Sequence, residues 1–287
     1  MNSNRLRIAV QKSGRLRNGS LQLLEDAGII FQPGTDQLRS PSVNFPLEII
    51  FLRDDDIPQY VEDEVADVGI VGENTVAEKK RRNHRIKKLG FAHCRLSIAV
   101  PRGTVYSGAQ WLEGKNIATS YPEVLRQFLE SRNIKAGIHE ISGSVEIAPG
   151  IGLADAIADI VSSGSTLQSN GLQEVERIMD SEAVLIAGPR PLNGTQEILD
   201  QLLFRIDAVN RARNNKYIVL NCPDEAIGRI TEIIPGMKSP TLLPLADKGW
   251  SSLHSVVDET DFWNKIGQLK AAGAEGILVI PIEKMIV

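Results

Sequence analysis

The sequence predicts an α/β protein in which two lobes precede a small C-terminal module. Three observations support this. Short apolar strands alternate with helical stretches along most of the chain. Two of these strands, residues 94–101 and 183–187, are placed where the chain could cross to a second lobe and return. Residues 217–281 follow the order strand, helix, strand, strand, helix, strand, which is typical of a ferredoxin-like sandwich.

The composition excludes several classes of function. The chain has 287 residues, of which 42% are hydrophobic and 24% charged, and its formal net charge is −4. These values are ordinary for a globular protein and give no reason to expect nucleic-acid binding. The two cysteines, Cys94 and Cys222, indicate free thiols in a reducing compartment. We expect a cytoplasmic protein, since neither a signal peptide nor the roughly 18-residue apolar run of a membrane span is present.

A basic loop after the first strand is a candidate anion site. The strand covers residues 6–10, and the loop of residues 11–16 contains Lys12 and Arg15 just before a helix. Positive charge at the start of a helix favours anion binding, although a solvated turn is the alternative.

Three successive acids follow the second predicted strand, residues 47–52. Residues 54–56 could bind a metal ion, but acids in this position more often cap a helix. Pro58 fits the first turn of such a helix. The pattern therefore favours a capping role.

Residues 152–167 contain the strongest candidate site. They suggest an acid-bearing helical turn, an apolar strand and a loop of small hydroxyl residues, with a new helix from Thr166 or Leu167. Backbone N–H groups at a helix start, beside serine and threonine hydroxyls, form an anion site. Asp155 and Asp159 are four residues apart and would share one face of a helix. Carboxylates beside a phosphate site suggest a sugar phosphate with hydroxyls or a magnesium ion.

A similar pattern occurs earlier in the chain, at residues 66–76. In both stretches Ala-Asp precedes an apolar strand, and a glycine lies five residues after the aspartate, as in Asp67 to Gly72 and Asp159 to Gly164. The repetition fits two similarly built lobes that each present a strand–loop–helix tip to a shared cleft.

The domain boundaries follow from the two crossings and from a polar stretch near residue 213. We expect residues 1–104 with 183–213 to form the first lobe and residues 105–182 the second. The C-terminal module would cover residues 214–287. The basic run of residues 79–88 is expected to be a solvated helix or loop.

Glu146 is a further candidate in the second lobe. It follows a Gly-Ser turn and should lie at the same end of the lobe as residues 162–167. His139, on a short alternating strand, is expected to be structural.

Together these stretches resemble the long form of ATP phosphoribosyltransferase, the first enzyme of histidine biosynthesis. The resemblance covers essentially the whole chain and implies a two-lobed, periplasmic-binding-protein-like catalytic core with an ACT/PII-like regulatory domain. Each motif is weak alone, but six or more in one order are specific. The motifs are residues 7–16, 53–58, 69–74, 118–122, 143–146, 152–167 and 278–285.

The resemblance implies a defined reaction. N1 of the ATP adenine would attack C1 of phosphoribosyl pyrophosphate (PRPP), giving phosphoribosyl-ATP and pyrophosphate. Such a displacement needs alignment and charge stabilisation more than acid–base help. Mg²⁺ would arrive largely with the substrates, so no protein ligands for it are assigned.

The resemblance also implies roles for single residues. Asp155 and Asp159 would engage ribose hydroxyls or magnesium, and Lys12 and Arg15 would contact the phosphates of ATP or the leaving pyrophosphate. Tyr121 and Glu146 would position the base or ribose of ATP. The 5-phosphate of PRPP would be held by Ser162, Ser163, Gly164, Ser165, Thr166 and Leu167.

The C-terminal module would sense L-histidine, the end product. Ser239 and Thr241, on the turn before its second strand, and Gly276, at the start of its last strand, are the candidate contacts, although an ordinary turn and strand start would look the same. The resemblance further implies a homo-oligomer, with dimers that assemble into hexamers.

Two other classes of protein remain as alternatives. A small-molecule binding protein without catalysis would share the two lobes. A purely regulatory protein would need only the C-terminal module. The hydroxyl-rich loop after Asp159 favours the enzyme over both.

Overall fold

The computed structural model describes residues 5–31, 38–192 and 194–287. The chain divides into two compact units, the first from residues 1–22 and 29–199 and the second from residues 23–28 and 200–287. Within the described ranges, no helix is both long and apolar enough to cross a membrane.

Strands and helices alternate along the described chain, as the sequence predicts. The strands are β1 (Leu6–Gln11), β2 (Arg39–Pro41), β3 (Leu47–Leu52), β4 (Val68–Gly72), β5 (His84–Lys88), β6 (Cys94–Pro101), β7 (Asn116–Thr119), β8 (Gly137–Glu140), β9 (Ala156–Val161), β10 (Leu172–Ser181), β11 (Ala183–Ala187), β12 (Asn215–Pro223), β13 (Thr241–Pro244), β14 (Trp250–Asp258) and β15 (Glu275–Pro281). The helices are α1 (Arg15–Asp26), α2 (Ile57–Glu62), α3 (Glu73–Lys79), α4 (Pro122–Ser131), α5 (Ser165–Ser169), α6 (Gln196–Arg213), α7 (Ile227–Ile233) and α8 (Glu259–Ala271).

The first lobe is built on a sheet with the order β2-β3-β1-β4-β11-β5. β1 runs parallel to both β3 and β4, and β11 returns antiparallel to β4. Ile8, Ile49 and Ile70 on these strands are fully buried. Because carboxyl ends of neighbouring parallel strands meet at one edge of a sheet, the loops after β1, β3 and β4 lie together.

The second lobe repeats this arrangement on a sheet with the order β10-β6-β9-β7-β8. β7 runs parallel to β8 and β9, while β6 is antiparallel to β9 and β10. Ile98, Ile117 and Ile157 are fully buried in its core. The carboxyl ends of β7, β8 and β9 therefore form a second cluster of loops.

Two predicted boundaries differ from the structure. The first lobe was expected to extend to residue 104, but β6 is hydrogen-bonded into the second sheet, so the crossing lies between β5 and β6. Residues 23–28 and 200–213 were expected in the first lobe, yet they belong to the second compact unit. There Arg213 forms a 3.0 Å ion pair with Asp26 at the end of α1, and the Met285 N–H donates to the Ala208 carbonyl at 2.9 Å.

The basic run of residues 79–88 also differs in part from the expectation. Its second half is β5, an edge strand that pairs with β11, rather than a solvated helix or loop. His84, Arg85 and Lys88 on this strand are exposed. Charged side chains on an edge strand discourage pairing with another sheet.

The second unit contains the predicted βαββαβ module. Its sheet has the order β13-β14-β12-β15, with each neighbouring pair antiparallel, which is the ferredoxin-like topology. Leu220, Leu253 and Leu269 are fully buried in a core that α7 and α8 complete. α8 starts where the Asp258 carboxylate accepts the Thr260 N–H at 2.8 Å, a side-chain cap.

The substitution Gly69→Ala tests how tightly β4 packs in the first lobe. A Cβ at this position would lie 2.6 Å from Cγ2 of Ile57 and 3.0 Å from Cγ2 of Val61. We expect the variant to lose about 1–3 kcal/mol of unfolding free energy, because the core must shift to admit the methyl group. Thermal unfolding of the first unit would measure the loss.

Gly150→Ala is the matched control in the same unit, since its Cβ would meet only the Ile147 carbonyl oxygen at 3.5 Å, an ordinary contact. Equal melting temperatures for the two variants would contradict the tight packing at Gly69.

Candidate functional site

A cavity of about 620 Å³ lies inside the first unit, between the loop clusters of its two lobes. The ends of β1 and β4 contribute Gln11 and Gly72, and β9 with its following loop contributes residues 159–167. The two crossing segments also line the cavity, through residues 92–94 and Ala183. The predicted pair of tips, at Gly72 and Gly164, therefore faces one space.

The hydroxyl-rich loop has the geometry of an anion site. β9 ends at Val161, Gly164 adopts φ = 82°, and α5 begins at Ser165, where the sequence predicts a start at Thr166 or Leu167. A left-handed residue between right-handed ones turns successive N–H groups toward one point. The Ser163 and Ser165 hydroxyl oxygens lie 3.0 Å apart. Leu167 is buried in the lobe's core, so its side chain anchors the loop.

Asp159 is a strand residue whose carboxyl group lines the cavity. Burial raises its pKa to about 6, and the nearby Glu146 charge adds to the effect. The Ile160 N–H, which donates to Asp159 Oδ1 at 2.8 Å, acts in the opposite direction. Asp159 is thus ionised at neutral pH, at a cost that a hydroxyl or a cation in the cavity would offset.

Asp155 does not reach this cavity, and the prediction that it shares a helix face with Asp159 is wrong. The residues before β9 form turns and bends, and Asp155 stands at the opposite end of the strand, roughly 13 Å away at about 3.3 Å per residue. Its carboxylate accepts the Asn116 N–H at 2.9 Å, and its own N–H donates to the Asn116 carbonyl at 2.8 Å. Asp155 therefore links the starts of β9 and β7.

Asp67 forms the same arrangement at the start of β4. Its carboxylate accepts the Arg7 N–H at 2.7 Å, and its N–H donates to the Arg7 carbonyl at 2.9 Å. The structural counterpart of Asp67 is thus Asp155, not Asp159 as the sequence spacing suggested. The repeat between the lobes exists, but its aspartate in the second lobe belongs to the Ala-Asp pair of residues 154–155 and not to that of residues 158–159.

Lys12 lies in the loop after β1 and Arg15 is the first residue of α1, and the two side chains are placed differently. Arg15 lines the cavity, and its guanidinium donates to the Ser162 hydroxyl of the opposite lobe at 3.3 Å. The Lys12 backbone N–H donates to the Leu52 carbonyl at 2.8 Å. The Lys12 side chain is exposed and does not line the cavity.

Tyr121 and Glu146, which the family resemblance assigns to ATP, both line the cavity. Tyr121 lies directly before α4, and its hydroxyl accepts a hydrogen bond from Asn74 Nδ2 of the first lobe at 3.1 Å. Burial raises the Tyr121 pKa, and the charges of Asp159 and Asp54 raise it further, so the phenol keeps its proton. Asn74 is held by the Ser181 hydroxyl, which donates to its Oδ1 at 2.7 Å.

Glu78 joins the two lobes at the N-terminus of α4. Its carboxylate, on α3 of the first lobe, accepts the N–H groups of Glu123 and Val124 at 3.1 and 3.0 Å. Lys80 pairs with the Glu123 side chain at 2.7 Å. Burial raises the Glu78 pKa, and the helix N–H groups oppose this shift. A helix start in one lobe is therefore capped by an acid from the other.

Several cavity residues were not among the predicted site residues, and Asn74 and Asp54 are two of them. Asn74 lies in a motif that the family resemblance rests on, but its amide was assigned no role. Asp54 was expected to cap a helix, yet residues 54–56 form a 3₁₀ turn without a side-chain cap. The Asp54 carboxylate instead accepts the Thr75 hydroxyl at 2.7 Å, and burial raises its pKa. The run of three acids draws attention to Asp54 in the sequence. Its hydrogen-bond partner Thr75 is brought near only by tertiary folding.

The candidate histidine contacts lie on opposite edges of the C-terminal module. Thr241 starts β13 and Ser239 precedes it, while Gly276 lies on β15, where φ is 57°. β14 and β12 separate these edges, a gap of roughly 14 Å at about 4.8 Å per strand. One copy of the module does not bring the three residues together.

Family comparisons agree with the geometry. A model of the ATP phosphoribosyltransferase family matches residues 53–208, and a model of the HisG C-terminal domain matches residues 212–284. The chain belongs to the ATP phosphoribosyltransferase family. A protein of this name from Cytophaga hutchinsonii is 59% identical over 281 residues, covering 98% of each chain. One from Bacteroides fragilis is 56% identical over 282 residues, covering 98% of this chain and all of the relative.

Solved structures support the two-lobed core. The ATP phosphoribosyl transferase (HisG:HisZ) complex from Thermotoga maritima contains a chain that aligns with a TM-score of 0.60 and 28% identity, covering 70% of this chain and 98% of that one. The structure of Tv2483 bound to L-arginine aligns with a TM-score of 0.50 and 13% identity over 73% of this chain and 86% of that one. The second likeness concerns the fold alone.

Family membership fixes the reaction. The protein is a pentosyltransferase that condenses ATP with PRPP in the first step of histidine biosynthesis. Enzymes of this family require Mg²⁺. The cavity carboxylates of Asp54, Glu146 and Asp159 are hard oxygen donors that suit this ion. The described residues contain no cluster of three or more potential protein ligands for a metal.

The raised pKa of Asp159 predicts a pH-dependent stability. The folded protein holds this proton up to about pH 6, whereas an unfolded aspartate releases it near pH 4. The free energy of unfolding should therefore fall as pH rises between these values. Asp159→Asn removes the effect, so its melting temperature should exceed that of the parent above pH 6 and approach it below about pH 4.

At about 1.4 kcal/mol per pKa unit, the free energy of unfolding of Asp159→Asn should exceed that of the parent by on the order of 3 kcal/mol at most. Calorimetry of both proteins across this range provides the measurement. A difference in melting temperature that does not change with pH would contradict the shifted carboxyl group.

Proposed function

We propose that ATP and PRPP react in the cavity between the two lobes of the first unit. The observation that carries this proposal is the meeting of three groups there: the loop of residues 162–166, the carboxyl group of Asp159 and the guanidinium of Arg15. They supply an anion site, an acceptor for sugar hydroxyls and a positive charge from the opposite lobe.

The loop would bind the 5-phosphate of PRPP. Gly164, at φ = 82°, lets the backbone N–H groups converge, and the hydroxyls of Ser163, Ser165 and Thr166 add donors. Leu167 contributes through its backbone N–H, because its side chain is buried. The phosphate would thus fix one end of the substrate relative to β9.

Asp159 would hold the ribose. It lies on the strand that leads into the loop, so a ribose whose 5-phosphate is in the loop places its 2- and 3-hydroxyls near this carboxylate. With a pKa of about 6, Asp159 accepts hydrogen bonds as a carboxylate at neutral pH. Its negative charge would also stabilise the positive charge that develops at C1 and the ring oxygen.

The displacement then depends on alignment. The bond between adenine N1 and ribose C1 forms while the bond from C1 to the pyrophosphate oxygen breaks, and the electron pair leaves with pyrophosphate. Arg15, with Lys12 in the exposed loop just before it, would contact the phosphates of ATP or the leaving group. Mg²⁺ brought by the pyrophosphate group would supply further charge neutralisation. Holding both substrates in one cavity replaces a bimolecular encounter by an ordered geometry.

Tyr121 and Glu146 would orient ATP. The Tyr121 phenol stays protonated and keeps one donor, because its oxygen accepts from Asn74. Glu146 offers carboxylate oxygens to the amino group of the base or to a ribose hydroxyl. Both residues belong to the second lobe, so any contact to ATP from the first lobe would have to come from other cavity residues such as Arg15.

The substitution Asp159→Ala tests the assignment of this residue. Removing the carboxylate should lower kcat/KM about a hundredfold or more, by analogy with the loss of one charge-stabilising group elsewhere. Mixing ATP, PRPP and Mg²⁺ and following the change in ultraviolet absorbance on N1 alkylation of adenine gives the rate.

Asp155→Ala is the matched control, because Asp155 links strand starts outside the cavity. It should lower the melting temperature but leave turnover within about threefold, as expected away from the site. Normal activity in Asp159→Ala, or a similar loss in both variants, would contradict the proposed roles.

Regulation would act through the C-terminal module in a homo-oligomer that forms dimers and hexamers in the cytoplasm. Because Ser239 and Thr241 lie on the edge opposite Gly276, a histidine site that uses both edges requires two copies of the module. Inhibition by L-histidine would then depend on assembly, since the inhibitor would bind where two modules meet.

Thr241→Val tests the regulatory site without shortening the chain. The hydroxyl is exposed on an edge strand, so its loss should leave stability nearly unchanged. The L-histidine concentration for half inhibition should rise about tenfold, as expected for one lost hydrogen bond of roughly 1.4 kcal/mol, while KM for both substrates stays constant.

Activity measured across a histidine titration, in parallel with the oligomeric state by light scattering, would test this. Unchanged inhibition in the variant would place the sensor elsewhere.

A further inference from the structure

Arg95 lies behind the hydroxyl-rich loop and holds its first residue. On β6, Arg95 is the register partner of Val161, the last residue of β9. One of its terminal guanidinium nitrogens donates to the Ser162 carbonyl at 3.2 Å. The contact therefore lies at the point where the strand ends and the loop begins.

The remaining donors of Arg95 are fixed by Glu174. Arg95 Nε donates to Glu174 Oε1 at 2.5 Å, and its other terminal nitrogen donates to Oε2, so the pair is bidentate. The fully buried Ser97 hydroxyl also donates to Glu174 Oε1, at 2.8 Å. Bidentate pairing sets the plane of the guanidinium as well as its position.

The contact to Ser162 sets the orientation of a peptide plane. In a trans peptide the carbonyl and the following N–H point in opposite directions. A Ser162 carbonyl held on Arg95 thus turns the Ser163 N–H away from the guanidinium. A phosphate-binding loop needs this orientation, since N–H groups must face the anion and carbonyl oxygens must face away from it.

Charge balance favours a positioning role for Arg95 over a direct contribution of charge to the cavity. Its positive charge is neutralised at contact distance by Glu174, whose pKa is lowered mainly by the hydrogen bonds from Arg95. The pair therefore stays ionised at and above neutral pH and adds little net charge to the cavity. Arg15, which reaches the Ser162 hydroxyl from the other lobe, is the cavity arginine that can supply charge.

We propose that Arg95, fixed by Glu174, is a positioning residue that presets residues 162–163 for the 5-phosphate of PRPP. This inference rests on the proposed assignment of residues 162–166 to that phosphate. It predicts that loosening the pair weakens the use of PRPP selectively, because ATP would contact other residues of the cavity.

The experiment measures kcat and both KM values in the full-length protein. Arg95→Met and Glu174→Gln should each raise KM for PRPP about tenfold and leave KM for ATP within about twofold. Arg95→Lys should show an intermediate effect, since an ammonium group keeps the charge but cannot form the planar fork. Direct binding of ribose 5-phosphate, followed by calorimetry, should weaken in the same order.

Glu176→Gln is the matched control. Glu176 lies on the same strand, but it pairs with Arg132 at 3.2 Å and accepts the Tyr106 hydroxyl at 3.0 Å. The Glu176→Gln variant should leave both KM values unchanged.

Glu174→Gln is close to isosteric and removes one charge, so it tests the inference even if Arg95→Met fails to fold.

The outcomes separate the two levels of the proposal. Thr166→Val probes the loop itself: if it raises KM for PRPP while the Arg95 and Glu174 variants do not, Arg95 has no positioning role. An equal rise in both KM values, or a lower melting temperature without a change in KM, would also overturn the inference. If Thr166→Val affects ATP instead of PRPP, the assignment of the loop fails and the inference with it.

Discussion

Glu78 caps the N-terminus of α4, and this hydrogen-bonded contact holds the two lobes of the first unit together. Helix α4 begins in the second lobe, yet the acid that satisfies its first N–H groups comes from α3 of the first lobe. Buried N–H groups that lose their partner cost free energy. Separation of the lobes would remove the Glu78 carboxylate from the start of α4, so the cap stabilises the contact between the two lobes. Tyr121 lies directly before this helix, and its hydrogen bond with Asn74 extends the same contact.

The electrostatics of the cavity follow from that contact. With the lobes in place, Asp159 and Asp54 lie in a partly enclosed space where burial raises their pKa values. The opposing positive charge comes from Arg15 at the rim of the first lobe. A substrate with sugar hydroxyls and phosphates matches this division, because the acids accept hydrogen bonds and the arginine and loop N–H groups meet the anions.

The two lobes share a construction that separates structural acids from functional ones. Asp67 and Asp155 each tie the start of one parallel strand to its neighbour, far from the carboxyl ends where the loops converge. Asp159 does not tie the starts of two strands in this way, because it lies within its strand and its carboxyl group faces the cavity. Acids that look alike in sequence thus differ in role because a strand has two ends and only one of them borders the site.

The order of strands and helices could be predicted from the sequence because it depends on local patterns. Alternating apolar runs identified both sheets and the C-terminal module, and Gly164 with its neighbouring serines identified a loop suited to phosphate. The family resemblance then named Arg15, Tyr121 and Glu146, which the structure brings to one cavity. These features are carried by short segments whose residues are adjacent in the chain.

Only the tertiary structure decided the rest. It moved β6 into the second lobe and residues 200–213 into the second unit, because strand pairing and helix packing join distant segments. It separated Asp155 from Asp159 and joined Asp54 to Thr75, since spacing in sequence gives no direction for a side chain until the strand is placed. The Arg95–Glu174 pair spans 79 residues of sequence, and no local pattern could have linked those two charges.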